Sequence, residues 1–321
     1  MQKLRIATLT IAIVGLLAGC SSGNSAQDAF SGITPVCDHY VGGSAIDAVQ
    51  VTTQSTGAPK VDFANASSGV SFASALSKIT KPETKLVSEG SGPAFTGNEL
   101  LSVDYAVYSS STGKLVGSNA FNGTDSQPIF VDTKTYAVFC NALSGVKEGS
   151  VAALAVPANA SNPEGSLYIF KINKVNLPHA NGDVQSPVSG LPQVVRDPKT
   201  GEPGLVPTSI SAPKEFKRAV VIEGKGEVVK ATDTVTVNYK LWDWTTSLGG
   251  SLESSWDSQP ISLNLESGTI KGFSMALDGV KVGSQVITSI PAEFAYGASG
   301  TGSIQPNATL LFVIDVLGKG K

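Results

Sequence analysis

The sequence predicts an α+β protein of two similar units, each an antiparallel sheet wrapped around one short helix. Three observations carry this expectation: the chain repeats itself, its composition favours turn-rich β structure, and each repeat holds a single amphipathic helical stripe. Gly145-Val146-Lys147-Glu148-Gly149-Ser150 recurs as Gly279-Val280-Lys281-Val282-Gly283-Ser284. Val156-Pro157-Ala158 recurs at the same offset as Ile290-Pro291-Ala292, and Tyr105 corresponds to Tyr239. Asp125-Ser126-Gln127-Pro128-Ile129 matches Asp257-Ser258-Gln259-Pro260-Ile261 with a two-residue gap. Colinear matches at one spacing mark a duplicated unit. The 34 Gly and 17 Pro among 321 residues exceed the ordinary share and punctuate short strands. Hydrophobic residues at 41% supply cores and exclude wholesale disorder. A net charge of -3 without a basic run leaves no electrostatic footprint for nucleic acid. Two His and three Cys speak against a metal cluster or a haem site.

From the N-terminus, Lys3 and Arg5 precede a short apolar run, Ala7 to Leu17, which ends in Leu17-Ala18-Gly19-Cys20. The run is too short for a comfortable membrane span and reads as a secretory signal over 1–19. Small residues before Cys20 resemble the bacterial lipobox, which implies lipidation (palmitate) at Cys20 and a lipid-anchored, extracytoplasmic protein on the cell membrane. Residues 20–45 read as a tether and N-terminal segment, opening with Gly, Ser, Asn, Ala and Gln over 21–29. In an oxidising compartment Cys37 and Cys140 are the two sulfurs left. Either they pair, tying the N-terminal segment to the first unit, or they stay buried thiols; sequence does not show whether the sulfurs meet.

The first unit covers 46–177 and the second 192–321, with a Pro-, Gly-, Ser- and Asn-containing linker over 178–191. Thr234 to Tyr239 places Val235, Val237 and Tyr239 on one face, the period of a half-buried strand. Gln285 to Ile290 and Leu310 to Leu317 are apolar or β-branched runs bounded by Gly and Pro. Ile270, Phe273 and Leu277 fall on one helical stripe and Gly279 supplies the stop. Tyr136, Phe139, Leu143 and Gly145 repeat that pattern in the first unit. One short helix per sheet gives the α+β class.

The second unit then resembles the FKBP-type peptidyl-prolyl cis-trans isomerases. The residues that carry the likeness are Gly224-Lys225-Gly226, Val235-Thr236-Val237-Asn238-Tyr239, Ser254-Ser255, Ile270-Lys271-Gly272-Phe273, Gly279-Val280-Lys281-Val282-Gly283, Ile290-Pro291, Ala295-Tyr296-Gly297 and the run Ile304 to Phe312. Order and spacing match over about 100 residues, in line with a domain of ordinary size. The resemblance implies isomerisation of X-Pro bonds with no cofactor and no metal. It implies that Phe273 forms the floor under the proline ring in place of the family's usual Trp. Tyr239, Leu252, Ile261, Leu263, Ile270 and Phe312 would form the walls, with Ile304 beside them. Tyr296 would donate its hydroxyl to a substrate carbonyl, Ile270 would offer a backbone N–H, and Glu253 would stand where the family usually has Asp. Leu252, Ile261 and Leu263 replace aromatic wall residues, and Leu241 to Gly250, with Trp242 and Trp244, replaces a short turn.

The first unit keeps Tyr105 and Phe139 but lacks Ala-Tyr-Gly after Pro157 and has only a short loop there, so it reads as a degenerate copy without catalysis. Gly297-Ala298-Ser299-Gly300-Thr301-Gly302 has no following Lys-Ser or Lys-Thr and reads as a flexible loop, not a phosphate cradle. His39 and His179 read as surface residues. The function expected is a membrane-anchored folding factor acting on proline-containing secreted or envelope proteins, with macrolides as further ligands. The alternative is a non-catalytic FKBP-like chaperone or scaffold.

Overall fold

The computed structural model describes residues 37, 42–62, 72–119, 121, 127–130, 137–159, 162–245 and 248–320. The signal 1–19, Cys20, nearly all of the tether, His39 and Tyr136 lie outside the described residues. Among the described residues no helix is long and apolar enough to cross a membrane.

The N-terminal half runs α1 (Ser44–Asp47), β1 (Gln50–Thr52), β2 (Lys60–Asp62), α2 (Phe72–Leu76), β3 (Glu83–Ser88), β4 (Leu100–Ser109), β5 (Leu115–Ser118), β6 (Gln127–Phe130), α3 (Ala137–Leu143), β7 (Val151–Val156) and β8 (Ser166–Asn176). The sheet has the order β3-β7-β8-β4-β5, with β6 also on β4. The remainder runs β9 (Gly182–Val184), β10 (Val194–Arg196), β11 (Pro203–Leu205), β12 (Lys217–Gly224), β13 (Thr234–Asp243), β14 (Glu253–Ser254), β15 (Ile261–Asn264), α4 (Lys271–Leu277), β16 (Gln285–Ile290) and β17 (Leu310–Lys319). Its sheet has the order β14-β13-β17-β16-β12-β9, with β15 also on β13.

Apart from β9, the two strand orders correspond, all antiparallel, and even the irregularities recur. Register shifts fall between Leu86 and Ser88 on β3 and between Val220 and Ile222 on β12. Gly145 and Gly279 follow α3 and α4 at φ 78 and 80, a left-handed stop that glycine adopts without a Cβ penalty. One sequence match is out of step. Gln127 pairs with Val103 and Ile261 with Val237, so the sheets align Gln127 with Ile261 instead of Gln259.

Both sheets are covered on both faces. β7 alternates, sending Ala152 and Leu154 under α3 and Val151, Ala153 and Ala155 to the opposite core. That opposite core holds Ala45, Ile46 and Val49 with Ala75 and Leu76, so α1 and α2 add a layer that the one-helix expectation omitted. Ser44 and Ala45, in the segment read as tether, are part of α1 in this layer, and the Ala45 and Ile46 amides donate to Glu83 Oε2 at 2.8 and 3.0 Å. On the second sheet, Val235, Val237, Leu241, Phe312 and Ile314 pack toward α4, while Trp242, Trp244, Ile287, Leu311 and Val313 form a core on the other face. Leu191, Val194 and Leu205, from the chain before β12, close that outer core.

The segment 178–191, read as a linker, carries β9 and is stitched to the second sheet. Leu177 donates to the Leu317 carbonyl at 2.7 Å, and the Ala180 amide donates to Asp315 Oδ2 at 2.7 Å. Gln285 Nε2 donates to the other Asp315 oxygen at 2.7 Å. His179 belongs to this joint: Arg196 Nη2 lies 3.3 Å from its Nδ1 and donates to the Ala180 carbonyl at 3.0 Å. Burial pushes the Asp315 carboxyl above its usual range, against the hydrogen bonds of Ala180 and Gln285 and the charges of Arg196 and His179, which pull it down. A folded value above the unfolded one, about 3.9, means that the contribution to stability present below that pH is lost as pH rises through the folded value. Between pH 4 and pH 7 the urea midpoint of the native chain should therefore fall relative to that of Asp315→Asn. Parallel midpoints across the range would contradict this.

Candidate active site

Three rings converge between α4 and the second sheet. Phe273 comes from α4, which starts after Ile270 in extended conformation (φ -67, ψ 149). The helix lies close on β16 because residue 272 is glycine: a Cβ there would fall 2.2 Å from Ile290 Cγ2. Tyr239 comes from β13 and Phe312 from β17. Phe273 meets Phe312 edge to face at 5.4 Å and 90°, and Tyr239 at 6.3 Å and 88°. Tyr239 and Phe312 are 5.9 Å apart at 49°. Edge-to-face contact sets the positive rim of one ring against the negative face of the next and fixes the cluster.

The rim is polar. The Tyr239 hydroxyl donates to Glu253 Oε1. Burial first, then the hydrogen bond and charge of Glu253 and the proximity of Tyr296, push the Tyr239 phenol well above its ordinary value, so it stays a donor. Below it, the Tyr239 amide donates to Ser255 Oγ at 2.9 Å, and Ser255 donates to Asn238 Oδ1 at 2.8 Å, both in or beside the buried interior. Sequence reasoning missed this Asn238–Ser255 brace: both residues stand in the quoted motif, but the bond between them joins positions 17 residues apart and leaves no local pattern.

Ile261, Leu263, Ile270 and Ile304 are half-buried against the same core. Leu252, expected in the wall, is 40% exposed, and its amide donates to the Leu241 carbonyl at 2.7 Å. Tyr296 is also 40% exposed, on a connection that is bonded internally. Gly297 donates to Ala292 at 2.9 Å, Asn307 to Gly297 at 3.0 Å, and Thr301 and Ile304 bridge each other. The glycine-rich stretch read as a flexible loop is thus a hydrogen-bonded hood. Phe294 adds an unforeseen ring, with Lys271 Nζ 5.5 Å above its centre. Trp242 and Trp244 are placed in the outer core, away from the rings.

In the first sheet Tyr105 is half-buried, and Phe139 meets Tyr168 at 5.3 Å and Phe170 at 5.4 Å. The pairing of β4 with β8 puts Tyr168 where β13 and β17 put Phe312. The connection over 157–165 is shorter than that over 291–309 and its sequence holds no tyrosine, so it offers no counterpart of Tyr296. Cys37 and Cys140 are joined in a disulfide, with Cα atoms 5.7 Å apart.

The family model of FKBP-type peptidyl-prolyl cis-trans isomerases matches residues 225–317. The chain is similar to FkpA of Escherichia coli K12, 40% identical over 99 residues that cover 30% of this chain and 35% of that protein. Against the FK506-binding protein of Streptomyces anulatus it is 34% identical over 127 residues, 38% of this chain and 97% of the relative. The Corynebacterium glutamicum probable FK506-binding protein is 34% identical over 106 residues, 33% of this chain and 88% of the relative. The crystal structure of Escherichia coli FkpA aligns with a TM-score of 0.31 at 34% identity, over 34% of this chain and 50% of that one. The chain spans about a third of the length of its FkpA relatives. With a matching family model and relatives covered almost end to end, the chain belongs to the FKBP-type peptidyl-prolyl cis-trans isomerase family.

Proposed function

We propose that this chain is a lipid-anchored, extracytoplasmic folding factor, acylated at Cys20, whose second unit isomerises X-Pro bonds in secreted or envelope proteins. The cluster of Tyr239, Phe273 and Phe312 beneath an exposed Tyr296 is the observation that carries this reading. Rotation about an X-Pro bond faces a barrier of about 18–20 kcal/mol because amide resonance must be broken. The twisted imide is less polar than the planar one, so an apolar floor favours it, and every ~1.4 kcal/mol of that preference is about tenfold in rate. Tyr296 offers a hydroxyl to the substrate carbonyl, while Glu253 holds the Tyr239 hydroxyl at the rim. The names of the Streptomyces and Corynebacterium relatives, FK506-binding protein, support macrolides as ligands of the same cluster.

In this reading the first unit is a degenerate copy that binds without catalysing, since it lacks the hood and Tyr296. A second reading makes the whole chain a non-catalytic chaperone or scaffold; the aliphatic wall and the exposed Leu252 favour it. A protease-coupled assay on a proline peptide separates the two. Turnover above the spontaneous rate is expected, and loss of one hydrogen bond in Tyr296→Phe should lower kcat/KM by about threefold to tenfold. A rate equal to the spontaneous one leaves only the scaffold.

A further inference from the structure

We propose that Arg218 is a positioning residue for the isomerase reaction: its guanidinium clamps the C-terminal end of α4 to the second sheet and thereby sets the place of the Phe273 ring against Phe312. The inference rests on the isomerase reading of the second unit and deepens it. α4 is seven residues long, with no basic residue in its last turn. A helix leaves its last carbonyls without intrahelical donors, and here the amides beyond the helix are spent elsewhere. Gly279 donates to the Val229 carbonyl at 2.8 Å, and Val280 to the Leu277 carbonyl at 3.0 Å. The carbonyls of Met275, Ala276 and Asp278 are taken instead by a single atom, Arg218 Nη1, at 3.1, 3.0 and 2.8 Å. Two N–H bonds serve three acceptors, so one is shared, as is common at helix ends. The charge also faces the negative end of the helix dipole.

The clamp stands in line with the rings. Arg218 is opposite Thr288 on β16, and Thr288 is opposite Phe312 on β17. Residues directly opposed in an antiparallel sheet rise from the same face, so Arg218 and Phe312 belong to one row, two strand spacings or about 10 Å apart. At its other end α4 is seated by Gly272 on Ile290. Phe273 follows directly on that seat, so the tilt of the helix about the seat decides where its ring stands. Arg218 holds the far end of the lever, about 10 Å along the axis, and fixes the tilt.

The duplication supplies the comparison. Thr84 occupies the place of Arg218: it pairs with Leu154, which pairs with Tyr168, the counterpart of Phe312. Ala142 and Ser144 stand where the second unit has Ala276 and Asp278. Thr84, Ala142 and Ser144, together with Gly42, line one cavity of about 590 Å³, with no guanidinium between strand and helix end. α3 is held by other means, the Cys37–Cys140 bridge and the bond from Ser144 Oγ to the Cys37 carbonyl at 3.3 Å. The unit with the Tyr239, Phe273 and Phe312 cluster thus ties its helix to the sheet that carries two of those rings, and the other unit ties its helix to the chain before the sheet.

The test measures kcat and KM separately, on a proline peptide enriched in its cis isomer, for the full chain and for Arg218→Met, under conditions where urea curves show both fully folded. Arg218 is exposed, and methionine keeps its apolar stem while removing every donor. kcat should fall about fivefold with KM within about twofold, since the change acts on the floor that favours the twisted imide and leaves Tyr296 and Ile270 in place. The Phe312 ring-proton resonances should shift with it, because the contact with Phe273 is edge to face. Arg218→Lys, which keeps a charged donor, should restore both readings. If Arg218→Met does not fold, Arg218→Gln, neutral and shorter, is read in its place. A role in stability alone would lower the urea midpoint and leave kcat per folded molecule and the ring resonances unmoved. That result, or equal losses in Arg218→Met and Arg218→Lys, overturns the proposal while native turnover keeps the isomerase reading; native turnover at the spontaneous rate removes both.

Discussion

Phe273→Ala is expected to lower kcat/KM on a proline peptide by about a hundredfold, which corresponds to about 2.7 kcal/mol of lost preference for the twisted imide. Phe273 is 3% exposed and touches both other rings edge to face, so its truncation removes the floor of the cluster and leaves Tyr239 and Phe312 without their common partner. The same change empties a core position and should cost about 3–5 kcal/mol of folding stability. Phe273→Leu separates the two effects. It keeps most of the buried apolar volume, so the urea midpoint should stay much closer to that of the native chain, while turnover still drops because the flat ring is gone. Turnover per folded molecule unchanged in Phe273→Ala would remove this ring from the chemistry.

Reduction of the Cys37–Cys140 bridge should destabilise the first unit by about 4.7 kcal/mol, the chain-entropy value for a closed loop of ~100 residues. The bridge spans 103 residues, and Cys140 is wholly buried among Phe95, Leu101 and Leu143. Ser144 Oγ donates to the Cys37 carbonyl at 3.3 Å, so Cys37 is held beside α3 by this hydrogen bond as well as by the bridge. The three Trp residues, Trp242, Trp244 and Trp256, all lie in the second unit. Urea unfolding followed by tryptophan fluorescence should accordingly be little changed by a reductant, while the far-UV dichroism transition of the first sheet moves to lower urea. Coincident curves with and without reductant would deny the bridge any stabilising role.

Sequence made the second unit legible because its signals are local. The strand alternation of Val235, Val237 and Tyr239, the stripe of Ile270, Phe273 and Leu277, and the glycine stop at 279 each follow from a backbone period or a left-handed turn, and each returns in the core and the helix. What escaped was non-local. β9 has three residues and no pattern of its own; it is a strand only because Ile222, Glu223 and Gly224 lie across from it. α1 and α2 are too short for a periodic signature and owe their place to burial against β3 and β7. Trp242 and Trp244 were noted for their types, yet alternation from Tyr239 and Leu241 already sends them to the opposite face. The pairing of Cys37 with Cys140 depended on where α3 sits, which spacing does not state.

β17 is buried from Leu310 to Gly318, on both sides of the sheet. Phe312 packs with the rings of Tyr239 and Phe273, and its neighbours Leu311 and Val313 face the tryptophan layer, so a single strand is shared by the ring cluster and a structural buttress behind it. The ring cluster therefore inherits its stiffness from residues on the far side of the sheet, and a loosened buttress would be felt as softer packing around Phe312 with none of the three rings altered.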